Sequence, residues 1–252
     1  MYSDDEHRPI ASTHTVITGP PGSGKTTTIL QDAGADTVVA TYTKAAAQEV
    51  QMRGGRAGTL YSLTWPHVGA FVQGRLRSGG RKKSAYGTRA IHNPFDPALM
   101  EYAEEAASNV MESTLDVMAK ELHAWDGNGE PPFDLDGVQA IGPLTFILPM
   151  ARWLQAGAPL AVDAYETGMV DEGQDWSALE YTAFARCVAG ELRTYGDPGQ
   201  AIFLEQKGGT DGQLPYAWTR ADRQEVLDEG YRVGDPVATV AARVLAPYWD
   251  IP

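Results

Sequence analysis

Gly19-Pro20-Pro21-Gly22-Ser23-Gly24-Lys25-Thr26 is a complete GxxxxGKS/T run, and its residue types suit one task, holding a polyphosphate. Dense negative charge calls for many donors at close range, and glycines let a backbone curl until successive N–H groups face inward. A short apolar run, Val16-Ile17-Thr18, precedes the loop and a helix-compatible stretch, Thr27-Thr28-Ile29-Leu30, follows it. The loop therefore sits where a helix N-terminus adds its positive dipole end. In such a site Gly22, Ser23, Gly24, Lys25, Thr26 and Thr27 contact the phosphates. Lys25 reaches the β- and γ-phosphates as a compact cation, and the Thr26 hydroxyl takes one position on Mg²⁺. A glycine-rich turn that binds nothing accounts for the glycines but not for the Lys-Thr pair.

A second signature lies downstream. Residues 166–170 read as a short strand ending in Asp171-Glu172. Asp171 suits Mg²⁺, directly or through water, and Glu172 suits the water that attacks a phosphate. Residues 191–195 read as a further strand, ending in Gly196-Asp197-Pro198-Gly199-Gln200. Turn chemistry explains Gly196, Pro198 and Gly199. Gln200 is left over at the carboxyl end of a strand, where ligands of open α/β sheets bind, and is assigned to a γ-phosphate or to the attacking water.

The elements that must position these residues follow a βαβ rhythm. Thr37-Val38-Val39-Ala40-Thr41 is β-branched and short, as a buried parallel strand should be, and residues 45–52 read as the next helix. Residues 58–63 begin a third unit. From 65 to 159 the rhythm is lost, which reads as an insertion. It opens on a Gly/Ser/basic stretch in which Arg75, Arg77, Arg81, Lys82 and Lys83 stand close together. Residues 97–125 have helical spacing, residues 127–132 break it, and 146–155 form a second helical piece. After the Asp-Glu pair, residues 176–188 read as an amphipathic helix. The expectation is an α/β fold with a parallel sheet flanked by helices, carrying a mainly helical inserted subdomain. Residues 1–64 and 160–230 form the core, 65–159 the insertion, and 231–252 a C-terminal helix or the start of a second domain.

With 252 residues, 43% of them apolar, the chain can bury a full core. A formal net charge of −13 argues against nonspecific coating of nucleic acid, so any polyanion contact must be local. The basic stretch at 75–83 is the place for a phosphate backbone to land, and a solvated loop would carry the same composition. The single cysteine, Cys187, excludes an internal disulfide framework and reads as a buried thiol. The acidic N-terminus does not look like a signal peptide and no apolar stretch is long enough to span a bilayer, which together imply a soluble, cytoplasmic protein without a membrane partner.

Taken together, the chain resembles the first motor domain of the UvrD-like (Rep-like) superfamily 1 DNA helicases. Residues 19–26 resemble motif I. Thr41-Tyr42-Thr43-Lys44-Ala45-Ala46 is similar to the family's TFTNKAA element, one residue shorter, and Gly58-Thr59-Leu60-Tyr61-Ser62 to its T-x-H-S element with Tyr61 in place of His. Val170-Asp171-Glu172-Gly173-Gln174-Asp175 resembles the VDE-x-QD form of motif II, and residues 196–203 the GD-x-x-Q-x-I-Y/F form of motif III. Glu229-Gly230-Tyr231-Arg232 resembles the QNYR of motif IV.

The resemblance implies a RecA-like P-loop NTPase core that uses ATP and Mg²⁺, with Lys25, Glu172, Gln200 and Arg232 as catalytic residues. It also implies single-stranded DNA crossing Tyr42, Lys44, Thr59 and Tyr61, with Arg81, Lys82 and Lys83 as a possible arm. Three departures stand out. No Leu-Asn-x-x-Gln segment precedes the loop, Tyr61 replaces a His, and the sequence ends at Pro252, where the family continues into a second RecA-like domain. The expectation is half a motor, a DNA-dependent ATPase module that works with a second motor domain or a partner. The alternative is a nucleotide-binding interaction or regulatory protein that has kept the fold without the motor.

Overall fold

A computed structural model describes residues 11–34, 36–78, 109–203, 207 and 213–227. The expected sites at Arg81, Lys82, Lys83 and Arg232, and the expected segment 231–252, lie outside these residues.

The first β-branched runs form strands where they were expected. Strand β1 (Thr13–Thr18) leads through the glycine-rich loop into α1 (Lys25–Asp32), then β2 (Thr37–Thr41), α2 (Lys44–Met52) and a three-residue β3 (Ala57–Thr59). Thr43 starts α2 by accepting the Ala46 N–H on its hydroxyl at 3.2 Å. The long α3 (Leu60–Ser78) follows β3 directly and carries Pro66 inside it. The helix thus runs through the point where the sequence texture changes and includes Arg75 and Arg77, so the basic stretch starts on a helix rather than in a loop.

Helix α4 (Asn109–Ala124) supplies the described part of the expected 97–125 helix, and the break after it holds, with Gly127 and Gly129 at φ 82° and 67°. Then come α5 (Leu144–Gln155), β4 (Tyr165–Val170), α6 (Ala178–Ala185), β5 (Val188–Gly196), the short α7 (Tyr216–Thr219) and β6 (Arg223–Val226). Two expectations need correcting. Helix α6 is shorter than expected and not amphipathic, since all eight of its residues are buried. A helix covered on every side has no polar face to alternate with an apolar one. Strand β5 begins at Val188, three residues earlier than expected.

All six strands are parallel, in the order β3-β2-β4-β5-β1-β6. One interior pairing aligns Thr13 to Thr18 of β1 with Glu191 to Gly196 of β5. Because side chains alternate along a strand, the sheet builds two cores. Val16, Val38, Ala40, Val170 and Leu192 join the buried residues of α3, α4, α5 and α6 on one face. Ile17, Val39, Met169 and Tyr195 meet Ile29 of α1 and Val50 of α2 on the other. The described helices of the 65–159 stretch therefore share the sheet's core. Cys187 lies in the turn between α6 and β5, where burial pushes its thiol up to about 12. No helix among the described residues is long and apolar enough to cross a membrane.

A parallel sheet sends every strand's carboxyl end to one edge. Here that edge gathers Thr18, Thr41, Thr59, Val170, Gly196 and Val226, and with them every expected site residue that is described.

Candidate functional site

The glycine-rich loop turns back on its own start. Gly22 and Gly24 stand at φ 80° and 85°, in the left-handed region where a Cβ is costly. The Lys25 ammonium donates to the carbonyls of Gly19 at 2.7 Å and Pro20 at 3.3 Å. Gly24 begins α1 without any side-chain cap, so the first-turn N–H groups have no partner within the helix and carry its positive end. Ser23 is buried, and its Oγ has no hydrogen-bond partner among the described residues.

The acidic pair stands at the end of β4, two strands away. The Asp171 N–H donates to the Ala40 carbonyl at 2.9 Å, fixing the residue against β2. Burial, with Glu172 beside it, raises the Asp171 carboxyl to about 6, and Lys25 acts against the rise. Glu172 occupies φ 54°, ψ 47°, a left-handed conformation that costs a residue with a Cβ about 1–2 kcal/mol. Its Oε2 accepts from Gln174 Nε2 at 2.7 Å. On the strand between β4 and β1, the turn after β5 is organised by buried Asp197, which accepts from the Gly199 N–H at 3.0 Å and from Gln200 Nε2 at 2.5 Å.

Between these elements opens a cleft of about 740 Å³. Residues 21–28 form its floor, and Glu172, Gln200, Val226 and Leu227 its walls. A neighbouring cleft of about 570 Å³ is lined by Asp171, Gln174, Asp175 and Tyr42 and shares Glu172 and Gln200 with the first. The expected phosphate-loop residues Gly22, Ser23, Gly24, Lys25, Thr26 and Thr27 thus line one space with Glu172 and Gln200. Asp171 lies next door, close enough for its ionisation to feel Lys25.

The expected strand-contacting residues occupy the other half of the same edge. Tyr42 is 40% exposed and stacks on Phe203, with centroids 5.6 Å apart and planes 15° from parallel. Lys207 Nζ lies 4.8 Å from the Tyr42 ring centre. The same ammonium donates to the Asp175 carbonyl and to Glu180 Oε2, each at 2.6 Å. Glu180 is buried, which works against its charge, yet Lys207 holds its carboxyl below the usual range. Tyr61 donates its hydroxyl to Glu180 Oε1 at 3.0 Å and tilts its ring against Phe146. Thr59 pairs with Ser62 at the start of α3, and Lys44 is exposed at the first position of α2. A hollow of about 330 Å³ lies among Tyr42, Thr59, Tyr61, His123, Glu180 and Lys207.

Sequence reasoning passed over three residues of this edge. Lys207 was invisible because its partners come from other elements, Tyr42 ahead of α2 and Glu180 in α6. Gln174 and Asp197 fall within the two motif-like stretches, but no local signal gives them a role, since their burial and their partners arise only where β4 and β5 come together. As for metal, the oxygens of Thr26 and Asp171 are hard donors that suit Mg²⁺, which is held by one or two protein oxygens plus substrate phosphates rather than by an all-protein cage. Among the described residues no group of three His, Cys, Asp or Glu forms such a cage. No known protein-family model matches the chain, and no curated protein matches it.

Proposed function

We propose that the chain is the ATP-binding and ATP-hydrolysing module of a UvrD-like superfamily 1 DNA helicase, built on a RecA-like core. One observation carries the reading. Lys25, Thr26, Glu172 and Gln200, drawn from three separate stretches of sequence, line a single cleft at the carboxyl edge of a parallel sheet, with Asp171 beside it. The buried, unpartnered Ser23 hydroxyl and the uncapped N-terminus of α1 support phosphate as the occupant.

In this mechanism the backbone N–H groups of residues 22–26 cradle the phosphates, and Lys25 exchanges the carbonyls of Gly19 and Pro20 for the β- and γ-oxygens. Thr26 and Asp171 would hold Mg²⁺, which neutralises charge on the phosphate oxygens during transfer. Glu172 orients the attacking water and accepts its proton. Gln200 holds that water or the γ-phosphate in line. Single-stranded DNA is assigned to the Tyr42 half of the edge, where the part-exposed Tyr42 ring offers a stacking surface and Lys44 is exposed at the start of α2.

Single-turnover hydrolysis of Mg²⁺-ATP by the full chain, with and without a single-stranded oligonucleotide, tests the reading. Turnover should rise with the oligonucleotide. Glu172→Gln should lower it by about 10²–10⁴-fold and leave nucleotide affinity in place. Tight ATP binding with no turnover by the wild type would turn the assignment toward a nucleotide-binding interaction protein.

A further inference from the structure

Gln174 is 2% exposed and stands two residues after Glu172. Its carboxamide makes two bonds of opposite sense. Nε2 donates to Glu172 Oε2 at 2.7 Å, and Oε1 accepts the backbone N–H of Asp197 at 3.1 Å. A carboxylate only accepts and a backbone N–H only donates, so the two partners fix which end of the amide faces which way. A carboxamide joins such a pair without having to take up a proton, as a carboxyl of the same length would. Asp197 in turn accepts from Gln200 Nε2 through its own carboxylate. Hydrogen bonds thus link Glu172 to Gln174, Gln174 to the backbone of Asp197, and the Asp197 carboxylate to Gln200, a run of residues from the end of β4 to the turn after β5 with both of its ends on the same cleft.

The packing holds the bridge in place. Gly196, the last residue of β5, has no side chain, and a Cβ there would overlap Gln174 Oε1 and crowd the Trp218 ring. Glu172 meanwhile has an unfavourable backbone, so its side chain is aimed by what surrounds it rather than by a relaxed local conformation.

We infer that Gln174 is a positioning residue for the proposed hydrolysis: it sets the Glu172 carboxylate relative to the turn that carries Gln200, so that both meet the attacking water in a fixed relation. The inference rests on the ATPase reading above. Its chemistry is that of a supporting amide, which touches no substrate and holds the group that does.

The test uses the full chain with Mg²⁺-ATP as probe, enzyme in excess, and measures the rate of the chemical step and the nucleotide dissociation constant separately. Gln174→Met keeps the length and removes both bonds. Gln174→Glu keeps the acceptor for the Asp197 N–H and sets a carboxylate against Glu172. Both should slow the chemical step by about 10- to 100-fold while changing nucleotide affinity by no more than about twofold, and Gln174→Met should also speed hydrogen exchange of the Asp197 amide. A purely structural role predicts a different split. It has Gln174→Glu, which retains the bond to Asp197, turning over like the wild type, or has rate and affinity falling together with the melting temperature, and either result overturns the inference. Wild-type chain that hydrolyses ATP at a rate indifferent to both substitutions overturns the inference and leaves the ATPase reading standing. Wild-type chain that neither binds nor hydrolyses ATP overturns both.

Discussion

The two halves of the sheet's carboxyl edge each carry a lysine and a glutamate, Lys25 with Glu172 and Lys207 with Glu180, and dispose of them in different ways. Around the glycine-rich loop, polar groups line an open cleft. Lys25 is held by two carbonyls of its own loop, Ser23 Oγ has no partner among the described residues, and the first turn of α1 has no side-chain cap there. Around Tyr42 the groups engage one another. Lys207 answers Glu180, Glu180 answers Tyr61, and Phe203 lies on Tyr42. The first half leaves its polar groups beside an open cleft. The second satisfies its charges internally and leaves an aromatic face as its offer. A motif therefore conveys the chemistry a side chain can do, and the fold decides whether that side chain is already spent.

Lys25→Ala should have the largest effect on this contrast. It removes the cation whose only side-chain bonds among the described residues are to the carbonyls of Gly19 and Pro20 in its own loop. Mg²⁺-ATP affinity should fall by about 100-fold, as for loss of charge-assisted bonds to phosphate, with the melting temperature unchanged. Calorimetry giving equal affinity for both proteins would remove the nucleotide from this cleft.

Asp171→Asn should be next. The carboxyl stays protonated in the native state until about pH 6, whereas the unfolded chain loses that proton near 3.8. Its contribution to stability is thus full below the lower value and lost as pH rises through the higher one. Above that, the folded protein holds a buried charge at a cost of order 2–3 kcal/mol. Asn should raise stability by that order at pH 8 and by almost nothing at pH 4, while Mg²⁺ no longer tightens nucleotide binding. Denaturant titrations at the two pH values measure the difference, and a gain that is the same at both would mean that Asp171 is not the group responsible.

The smallest effect is expected in the engaged half. Tyr61→Phe leaves Glu180 Oε1 without its donor, at a cost of about 1 kcal/mol in stability, and should leave binding of a short single-stranded oligonucleotide within about twofold. Anisotropy that shows a larger loss of oligonucleotide affinity than of stability would make Tyr61 a strand contact and dissolve the contrast.

Much of the open half was legible in the sequence. Its loop needs glycine at fixed places for a positive φ, its strands are β-branched runs bounded by turns, and its acids follow a strand end, so each feature leaves a local trace. The Tyr42 half was legible by resemblance alone, because its decisive contacts join residues as far apart as Tyr61 and Glu180. Strand β6 left no signal. Arg223-Gln224-Glu225-Val226 is exposed at every position and, among the described residues, pairs with β1 alone, so neither alternation nor apolar character marks it as a strand. Helix α6 misled for the opposite reason, since burial on all sides erases the periodicity that reveals a surface helix. The bridge through Gln174 joins residues 172 and 174 to 197 and 200, a proximity that exists only once β4 and β5 lie side by side.

The left-handed backbone of Glu172 sets stability and activity against each other at a single position. Glycine would adopt φ 54° without strain, and would discard the carboxylate that the proposed chemistry needs. A library of variants screened for heat resistance alone would accordingly drift toward glycine at 172, gaining a sturdier molecule and discarding a working one. Ala158, at φ 51°, would drift toward glycine under the same screen with no carboxylate to lose, so the two left-handed positions part only where the proposed turnover is selected for.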